Sequence, residues 1–198
     1  MLAKLKFLII FGLFFQSFSL NAADNAEKSK SFVEQLGKKV IERVSDESLS
    51  DSERRGNFKD LYLSSFDNFY ISRFVLGRYW KKIDKNVKTE FVKTFNEYIV
   101  STYAPKFKGW KGEFKAVDSL IEKNYYNVKM DVLNKNGPTL KLIWKIYQDD
   151  DKRFKILDVN IDGVSMLVTQ RAEFMSVIKN NPNGVVGLIE AMKEKISI

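Results

Sequence analysis

Apolar residues recur every three or four positions in the first third of the chain, which is the spacing of amphipathic helices. The stripe over residues 31–44, with Glu and Lys between its apolar members, predicts a first helix. A polar stretch ends at residues 49–51, and the pattern there predicts the start of a second helix that runs towards Phe66. A short third helix is predicted over residues 71–76, and it should end near Gly77.

The clearest helical stripe lies between residues 87 and 102, and it carries large rings on one face. It stops before Pro105, because proline disfavours continuation of a helix and restricts the residue that precedes it. The stripe consists of Val87, Phe91, Phe95, Tyr98, Ile99 and Thr102.

After Gly112 the apolar residues alternate with polar ones, which is the period of β-strands. The segment from 134 to 137 is rich in turn-forming residues and predicts an antiparallel hairpin. The alternation slips by one residue at Ile156 and Leu157, which indicates a bulge or bend. The predicted strands cover residues 113–120, 128–132, 140–146 and 154–161.

Helical periodicity returns after Gly163 and predicts one helix over residues 167–178. Asn, Pro and Gly residues at 181–184 break this pattern, and a last amphipathic helix is predicted over 185–196. The order of helices, then sheet, then helices predicts an α+β fold. We expect it to be mainly helical, with the helices packed on one face of a roughly four-stranded antiparallel sheet.

The N-terminus has the pattern of a signal peptide. Two lysines lie within the first six residues, an apolar run covers residues 7–15, and the small residues Ala22 and Ala23 follow. The run is too short for a membrane span, which needs ~20 apolar residues. We therefore expect residues 1–23 to be cleaved during export and residues 24–198 to form one domain. An uncleaved membrane anchor is the alternative.

The composition excludes several classes of chemistry. The chain has no His and no Cys, so it lacks the usual ligands of transition metals, the base of a Ser-His triad and any thiol nucleophile. It also forms no disulfides, so the fold depends on burial alone. Only carboxylate, Lys or Tyr chemistry is left for a catalytic site.

The chain is basic, with a formal net charge of +8. Such a charge favours transient contact with an anionic membrane surface, by roughly 1 kcal/mol for each basic residue close to it. The lysines are scattered along the sequence instead of forming one block, which is typical of an ordinary solvated surface. We favour the solvated surface.

Ser165 lies between a predicted strand and a predicted helix, where it could be taken for a nucleophile on a sharp turn. Leu167 replaces the second glycine that such a turn requires, and no His is present to act as a base. We therefore expect Ser165 to cap the following helix. Asp158 and Asp162 are spaced to face one side of a strand, but this pair alone is weak evidence for acid–base catalysis, and we expect no enzyme.

The aromatic residues, 16 Phe, 8 Tyr and 3 Trp, fit either a filled core or a cavity lined with rings. Periodicity does not separate these two possibilities. Two segments resemble the MlaC family, also called the toluene-tolerance auxiliary proteins. The first contains Phe66, Asp67, residues 73–80 (RFVLGRYW), Phe91, Phe95, Tyr98 and Tyr103, and the second contains residues 155–159 (KILDV), 163–167 (GVSML) and 169–174 (TQRAEF).

The resemblance implies a periplasmic phospholipid carrier that maintains the lipid asymmetry of the outer membrane. It implies exchange with an outer-membrane lipoprotein–porin complex and with an inner-membrane ABC transporter that has an MCE-domain subunit. Phospholipid is the expected cargo, no cofactor and no nucleic acid are expected, and the chain should act as a monomer. A hopanoid-associated branch of the family is similar, so the lipid species stays open.

A carrier of this kind should hold the acyl chains in an apolar cavity between the sheet and the helices. Two acyl chains with roughly 30 methylenes, at about 0.8 kcal/mol each, would face over 20 kcal/mol of exposure in water. Each wall residue could equally belong to an ordinary core. The expected lipid contacts are Phe74, Leu76, Trp80, Phe95, Tyr98, Ile99, Tyr103, Val128, Met130, Val132, Leu142, Trp144, Ile146, Val164, Leu167 and Phe174.

Arg171 interrupts an apolar helical stripe, so it could contact a lipid phosphate or pair with Asp158 or Asp162. We favour the structural pair. Two other functions remain open at this stage: a non-enzymatic envelope adaptor with a filled core, and a periplasmic enzyme that uses carboxylates such as Asp158.

Overall fold

The structure is a computed structural model that describes residues 7–134 and 137–197, with side chains described from residue 23 onward. The predicted signal peptide, residues 1–23, therefore lies almost entirely outside the described side chains. No helix in the described part of the chain is long and apolar enough to cross a membrane.

Each of the six predicted helices is present. The first begins earlier than predicted, because residues 24–30 favour a helix but have few apolar members and so show no stripe. Two short 3₁₀ helices, Gly77–Lys81 and Ala104–Phe107, follow the third and fourth helices. The helices are α1 (Phe7–Val44), α2 (Asp51–Ser65), α3 (Asn68–Leu76), α4 (Lys85–Tyr103), α5 (Met166–Asn180) and α6 (Gly184–Ile196).

Local hydrogen bonds set the helix ends that the sequence predicted. Ser50 and Glu53 form a reciprocal capping box at the start of α2. Asp84 accepts a hydrogen bond from the backbone N–H of Val87 at the start of α4. Gly77 ends α3 with φ of 49°, a conformation that glycine adopts without a steric penalty.

The sheet is antiparallel, and its strands lie side by side in chain order. The predicted slip is confirmed: Lys145 pairs with Asp158 and Ile146 pairs with Ile156, so Leu157 is an extra residue in its strand. The fifth, two-residue strand was not predicted, and residues 135 and 136 of the predicted hairpin turn lie outside the described residues. The strands are β1 (Gly112–Glu122), β2 (Tyr125–Asn134), β3 (Leu140–Gln148), β4 (Phe154–Ile161) and β5 (Val164–Ser165).

Helix α1 packs against the edge strand β1 and is held there by polar contacts. The Glu34 carboxylate accepts a hydrogen bond from the backbone N–H of Ala116 at 2.9 Å. Gly37 lies directly on the Phe114 ring, and an added Cβ would stand 2.5 Å from it. These two contacts fix the position of α1 on the first half of β1.

The junction between α2 and α3 is tied to the sheet. Asp67 donates its backbone N–H to the carbonyl of Ile156, and its carboxylate accepts hydrogen bonds from the backbone N–H of Tyr70 and from the hydroxyl of Tyr147. Burial, with the hydrogen bond to Asp67, raises the pKa of Tyr147. These contacts fix the end of α2 against β4.

The apolar side chains form two separate clusters. One joins α3, α4, α5 and α6, with Phe91, Phe95 and Phe174 at its centre. The other lies between α1, α2 and the inner face of the sheet. The helices thus pack on one face of an antiparallel sheet, which confirms the predicted α+β fold.

Arg54 holds the connection between α1 and α2 together from inside. Its side chain is fully buried, and its guanidinium donates hydrogen bonds to the carbonyls of Val44, Asp46 and Leu49. These carbonyls lie at and just beyond the end of α1, where no intrahelical donor is available.

We expect Arg54→Met to lower the free energy of unfolding by about 3 kcal/mol, because it leaves buried carbonyls without a donor. Urea denaturation followed by circular dichroism measures this loss. Lys39→Met, on the exposed face of α1, is the control and should change the stability by less than about 0.5 kcal/mol. A loss for Arg54→Met no larger than that of the control would contradict this role.

Candidate functional site

A cavity of about 350 Å³ lies where the two apolar clusters meet. Helices α1 to α5 form one side of it, and strands β1 to β4 form the other. The lining residues are Leu36, Gly37, Val40, Phe58, Leu61, Tyr62, Phe66, Ile71, Val75, Phe95, Ile99, Tyr103, Phe107, Trp110, Phe114, Val132, Leu140, Leu142, Trp144, Leu157, Asp158, Val159, Ile161, Met166, Leu167 and Gln170.

A row of aromatic rings forms a continuous part of the wall. Phe107 contacts Phe58 with ring centroids 5.7 Å apart, and Phe58 stacks on Tyr62 in the next turn of α2. Tyr62 contacts Phe66 at 5.1 Å, and Phe66 meets Trp144 of β3 edge to face at 6.4 Å. These contacts make a continuous aromatic surface from α2 to the sheet.

The phenols on the wall are held in their neutral form. Burial raises the pKa of the Tyr62 hydroxyl well above its ordinary value. Burial, followed by the charges of Tyr98 and Glu173, also raises the pKa of Tyr103. Neither hydroxyl brings a charge into the cavity near neutral pH.

The two other polar side chains on the wall already have partners within the protein. The Asp158 carboxylate accepts hydrogen bonds from the Ser165 hydroxyl at 2.6 Å and from the backbone N–H of Leu167 at 3.0 Å. The Gln170 amide donates to Glu173 at 3.1 Å. The cavity therefore offers mainly hydrocarbon surface, which suits an apolar ligand.

The predicted helix cap at Ser165 is confirmed. Its hydroxyl accepts a hydrogen bond from the backbone N–H of Val168 at 3.1 Å, while it donates to Asp158. Asp158 and Ser165 thus act together at the start of α5, where the free backbone N–H groups favour a negative charge.

Seven of the sixteen residues predicted to contact lipid line the cavity. They come from α4, from the inner face of the sheet and from the start of α5. These residues are Phe95, Ile99, Tyr103, Val132, Leu142, Trp144 and Leu167. Their contact with lipid stays a prediction.

The other nine lie away from the cavity wall. The core between α1 and the sheet contains Val128, Met130 and Ile146. The core between α3, α4, α5 and α6 contains Leu76 and Phe174, and three further residues pack around it: Phe74, Trp80 and Tyr98. The ninth residue, Val164, is exposed.

Sequence periodicity missed the parts of the wall that α1 and α2 contribute. The α1 stripe was recognised as buried, and Gly37 inside that stripe is a signal for close approach of another element. Phe107 and Trp110 lie in a short connection between lysines, where no periodic pattern marks them as buried. Phe107 lies on the wall because it contacts Phe58 of α2, and Trp110 because it contacts Phe114 of β1.

The predicted pairing of Arg171 with Asp158 or Asp162 is wrong. Among the described residues Arg171 forms no ion pair with either; its guanidinium lies over the Phe74 ring at 5.0 Å and against Gly77. The Asp158 carboxylate is occupied at the start of α5, and Asp162 accepts a hydrogen bond from the backbone N–H of Lys141. Both carboxylates therefore already have backbone donors.

We expect Asp158→Ala to lower the free energy of unfolding by about 2 kcal/mol, because the Ser165 hydroxyl and the Leu167 N–H lose their acceptor. Thermal and urea denaturation measure the loss. Asp150→Ala is the control, since Asp150 is an exposed carboxylate in the turn before β4. Equal stability of the two variants would show that Asp158 does not hold the start of α5.

Comparison with known proteins places this geometry in a family. No match is found among curated proteins. The chain has the fold of a phospholipid-binding protein from Ralstonia solanacearum solved in complex with a phospholipid, with a TM-score of 0.71 and 18% sequence identity over 85% of this chain and 96% of that one. The sequence profile described as MlaC protein matches residues 34–194. This chain therefore belongs to the MlaC family.

Proposed function

We propose that this protein is a periplasmic carrier that binds phospholipid acyl chains in its cavity. It would move phospholipid between the outer and inner membranes and so maintain the lipid asymmetry of the outer membrane. The observation that carries the proposal is the cavity of about 350 Å³, lined mainly by apolar side chains between the sheet and the helices. Its volume falls within the range of about 300–1,000 Å³ that is usual for ligand pockets.

The chemistry of the wall supports a hydrocarbon ligand. Each methylene removed from water contributes about 0.8 kcal/mol, so an acyl chain gains stability in proportion to the length that the cavity covers. The wall residues Asp158 and Gln170 are already hydrogen-bonded inside the protein, so they need no partner from the ligand. A ligand held by apolar contact is selected weakly by its polar end, so several headgroups should be tolerated.

The similarity to the Ralstonia protein supports the class of cargo. That protein was solved with a bound phospholipid, and this chain shares its fold over most of its length. We therefore propose phospholipid as the ligand here, with the headgroup near solvent and the acyl chains between the sheet and the helices.

Two observations favour a carrier over the other functions that the sequence left open. An adaptor with a filled core does not account for an apolar cavity between its two clusters. An enzyme based on Asp158 would use a carboxylate whose oxygens already bind Ser165 and the start of α5. The carrier needs no group transfer and no cofactor.

The route that we propose is the one typical of the MlaC family. The protein would exchange phospholipid with an outer-membrane lipoprotein–porin complex and with an inner-membrane ABC transporter that has an MCE-domain subunit. The predicted signal peptide would deliver it to the periplasm. Exchange of cargo requires only a transient complex at each membrane, and a monomer is sufficient for it.

The test is native mass spectrometry of the protein purified from the cells that make it, followed by organic extraction and identification of the bound molecule. We expect stoichiometric phospholipid. A protein that is reproducibly empty and takes up no lipid from vesicles would contradict the carrier and favour the adaptor.

We expect Ile99→Trp to fold normally and to lose most of its bound lipid, because the larger side chain occupies part of the cavity. Overpacking costs about 1–3 kcal/mol, which corresponds to a loss of affinity of roughly 5-fold to 150-fold. Val177→Trp is the matched control, since Val177 is on the outer side of α5 and does not line the cavity. Lipid extracted per mole of folded protein is the measurement, and equal amounts in the two variants would show that lipid binds elsewhere.

A further inference from the structure

The segment between residues 68 and 89 is strongly basic. It runs through α3, the following 3₁₀ helix and the first turn of α4, and within it Asp84 is the single acidic residue. The excess of basic over acidic residues in this segment accounts for more than half of the net charge of +8 that the whole chain carries. The basic residues are Arg73, Arg78, Lys81, Lys82, Lys85 and Lys88.

These basic side chains are not neutralised by the protein itself. No ion pair involves any of the six among the described residues, whereas Lys59 and Lys193 pair with carboxylates further along α4. Asp84 is used to cap α4, where its carboxylate accepts the backbone N–H of Val87. The lysines look scattered along the whole sequence, but this segment contains six basic residues that pair with no carboxylate in the described part of the chain.

An exposed aromatic ring stands among the charges. Phe69 is 61% exposed, the most exposed of the large apolar side chains described, and it meets Trp80 edge to face at 5.4 Å. The Lys88 ammonium lies 5.7 Å from the centre of the Trp80 ring. Arg73 follows Phe69 by one helical turn and is also exposed.

This surface lies next to the cavity but does not belong to it. Ile71 and Val75, on one face of α3, line the cavity. Phe69 and Arg73 lie on the opposite face of the same short helix and are exposed. One helix therefore separates the cavity from the charged surface.

We propose that the basic aromatic surface, formed by Phe69, Arg73, Trp80, Lys81, Lys82 and Lys88, docks onto the surface of an anionic lipid bilayer. Aromatic rings beside Lys and Arg are the combination that settles at the boundary between headgroups and acyl chains. Each basic residue near an anionic leaflet raises the affinity about fivefold.

The composition of the surface favours a membrane over an acidic protein. The core of a protein–protein interface is depleted of lysine, since ordering that long side chain and removing its water is unfavourable. Lysine keeps its water and its mobility at a bilayer surface, where it acts through charge alone. Three of the four basic residues of the proposed surface are lysines.

The inference deepens the proposed function, because a carrier of phospholipid has to meet a membrane or a membrane complex to exchange its cargo. Docking through this surface would place the α3 wall of the cavity next to the bilayer. The two proposals can be tested independently, because binding to vesicles and the lipid content of the cavity are separate measurements.

The experiment is sedimentation of the exported form of the protein with vesicles of phosphatidylcholine alone or of phosphatidylcholine with phosphatidylglycerol. At about 0.1 M salt, where the screening length is about 10 Å, we expect binding only to vesicles that contain phosphatidylglycerol, and weaker binding as salt is added. The triple variant Lys81→Gln, Lys82→Gln, Lys88→Gln should bind about a hundredfold less tightly. Phe69→Ser should bind about tenfold less tightly, because it removes the ring that enters the headgroup layer.

Matched controls separate the surface from the net charge. Lys38→Gln, Lys39→Gln, Lys179→Gln removes the same number of lysines from exposed positions elsewhere and should stay within about fivefold of the parent protein. Val186→Ser, which shortens an exposed apolar residue of α6, is the control for Phe69→Ser. Circular dichroism confirms the fold of every variant.

An equal loss of vesicle affinity in the two triple variants would overturn the proposal in favour of non-specific electrostatic attraction. A parent protein that does not bind the anionic vesicles would overturn it in favour of an acidic protein as the partner of this surface. The bound lipid content of the Lys81, Lys82, Lys88 variant, measured by native mass spectrometry, should equal that of the parent. An empty parent that still binds vesicles would contradict the proposed function and leave the docking surface standing.

Discussion

The structure depends on the junction between two apolar clusters. The sheet has a single apolar face, and α1 with α2 covers only part of it. The remaining helices bury most of their rings among themselves, around Phe91, Phe95 and Phe174. The two clusters meet along α2, α3 and α4 without interdigitating fully, and the space left between them is the cavity. An apolar space of this kind is unfavourable when empty, because its lining side chains lack the contacts that a packed interior provides.

The elements that surround the cavity are fixed by interactions independent of its contents. Buried Arg54 holds the end of α1, Asp67 and Tyr147 join the start of α3 to the sheet, and Asp158 with Ser165 holds the start of α5. These polar contacts lie around the cavity, and together they replace the disulfides that a chain without cysteine cannot form. A frame supported in this way can keep a space open that apolar packing alone would tend to close.

The sequence was sufficient to predict the fold, because each element carries its own periodic signal. The ring-bearing stripe of α4 and even the extra residue at Leu157 were visible as spacing alone. The cavity wall was predicted only in part, because the periodicity of an element gives no information about its distance from another element. Val128 and Trp144 are directly opposite each other in the sheet and share its inner face, yet only Trp144 reaches the cavity. The contact of Arg171 with the Phe74 ring was missed for a related reason, because it joins α3 and α5, which are far apart in the sequence.

Because Gly37 contacts Phe114, substitutions on the α1 side of the cavity are tolerated less well than substitutions on the α4 side. On the α1 side the helix backbone rests on a ring, so any larger residue at that position would displace a whole element. On the α4 side the wall is built from side chains such as Ile99 and Tyr103, whose size can change without moving the backbone. The capacity of the compartment could therefore be enlarged or reduced, in evolution or by protein engineering, through a few substitutions on α4 while the scaffold stays the same.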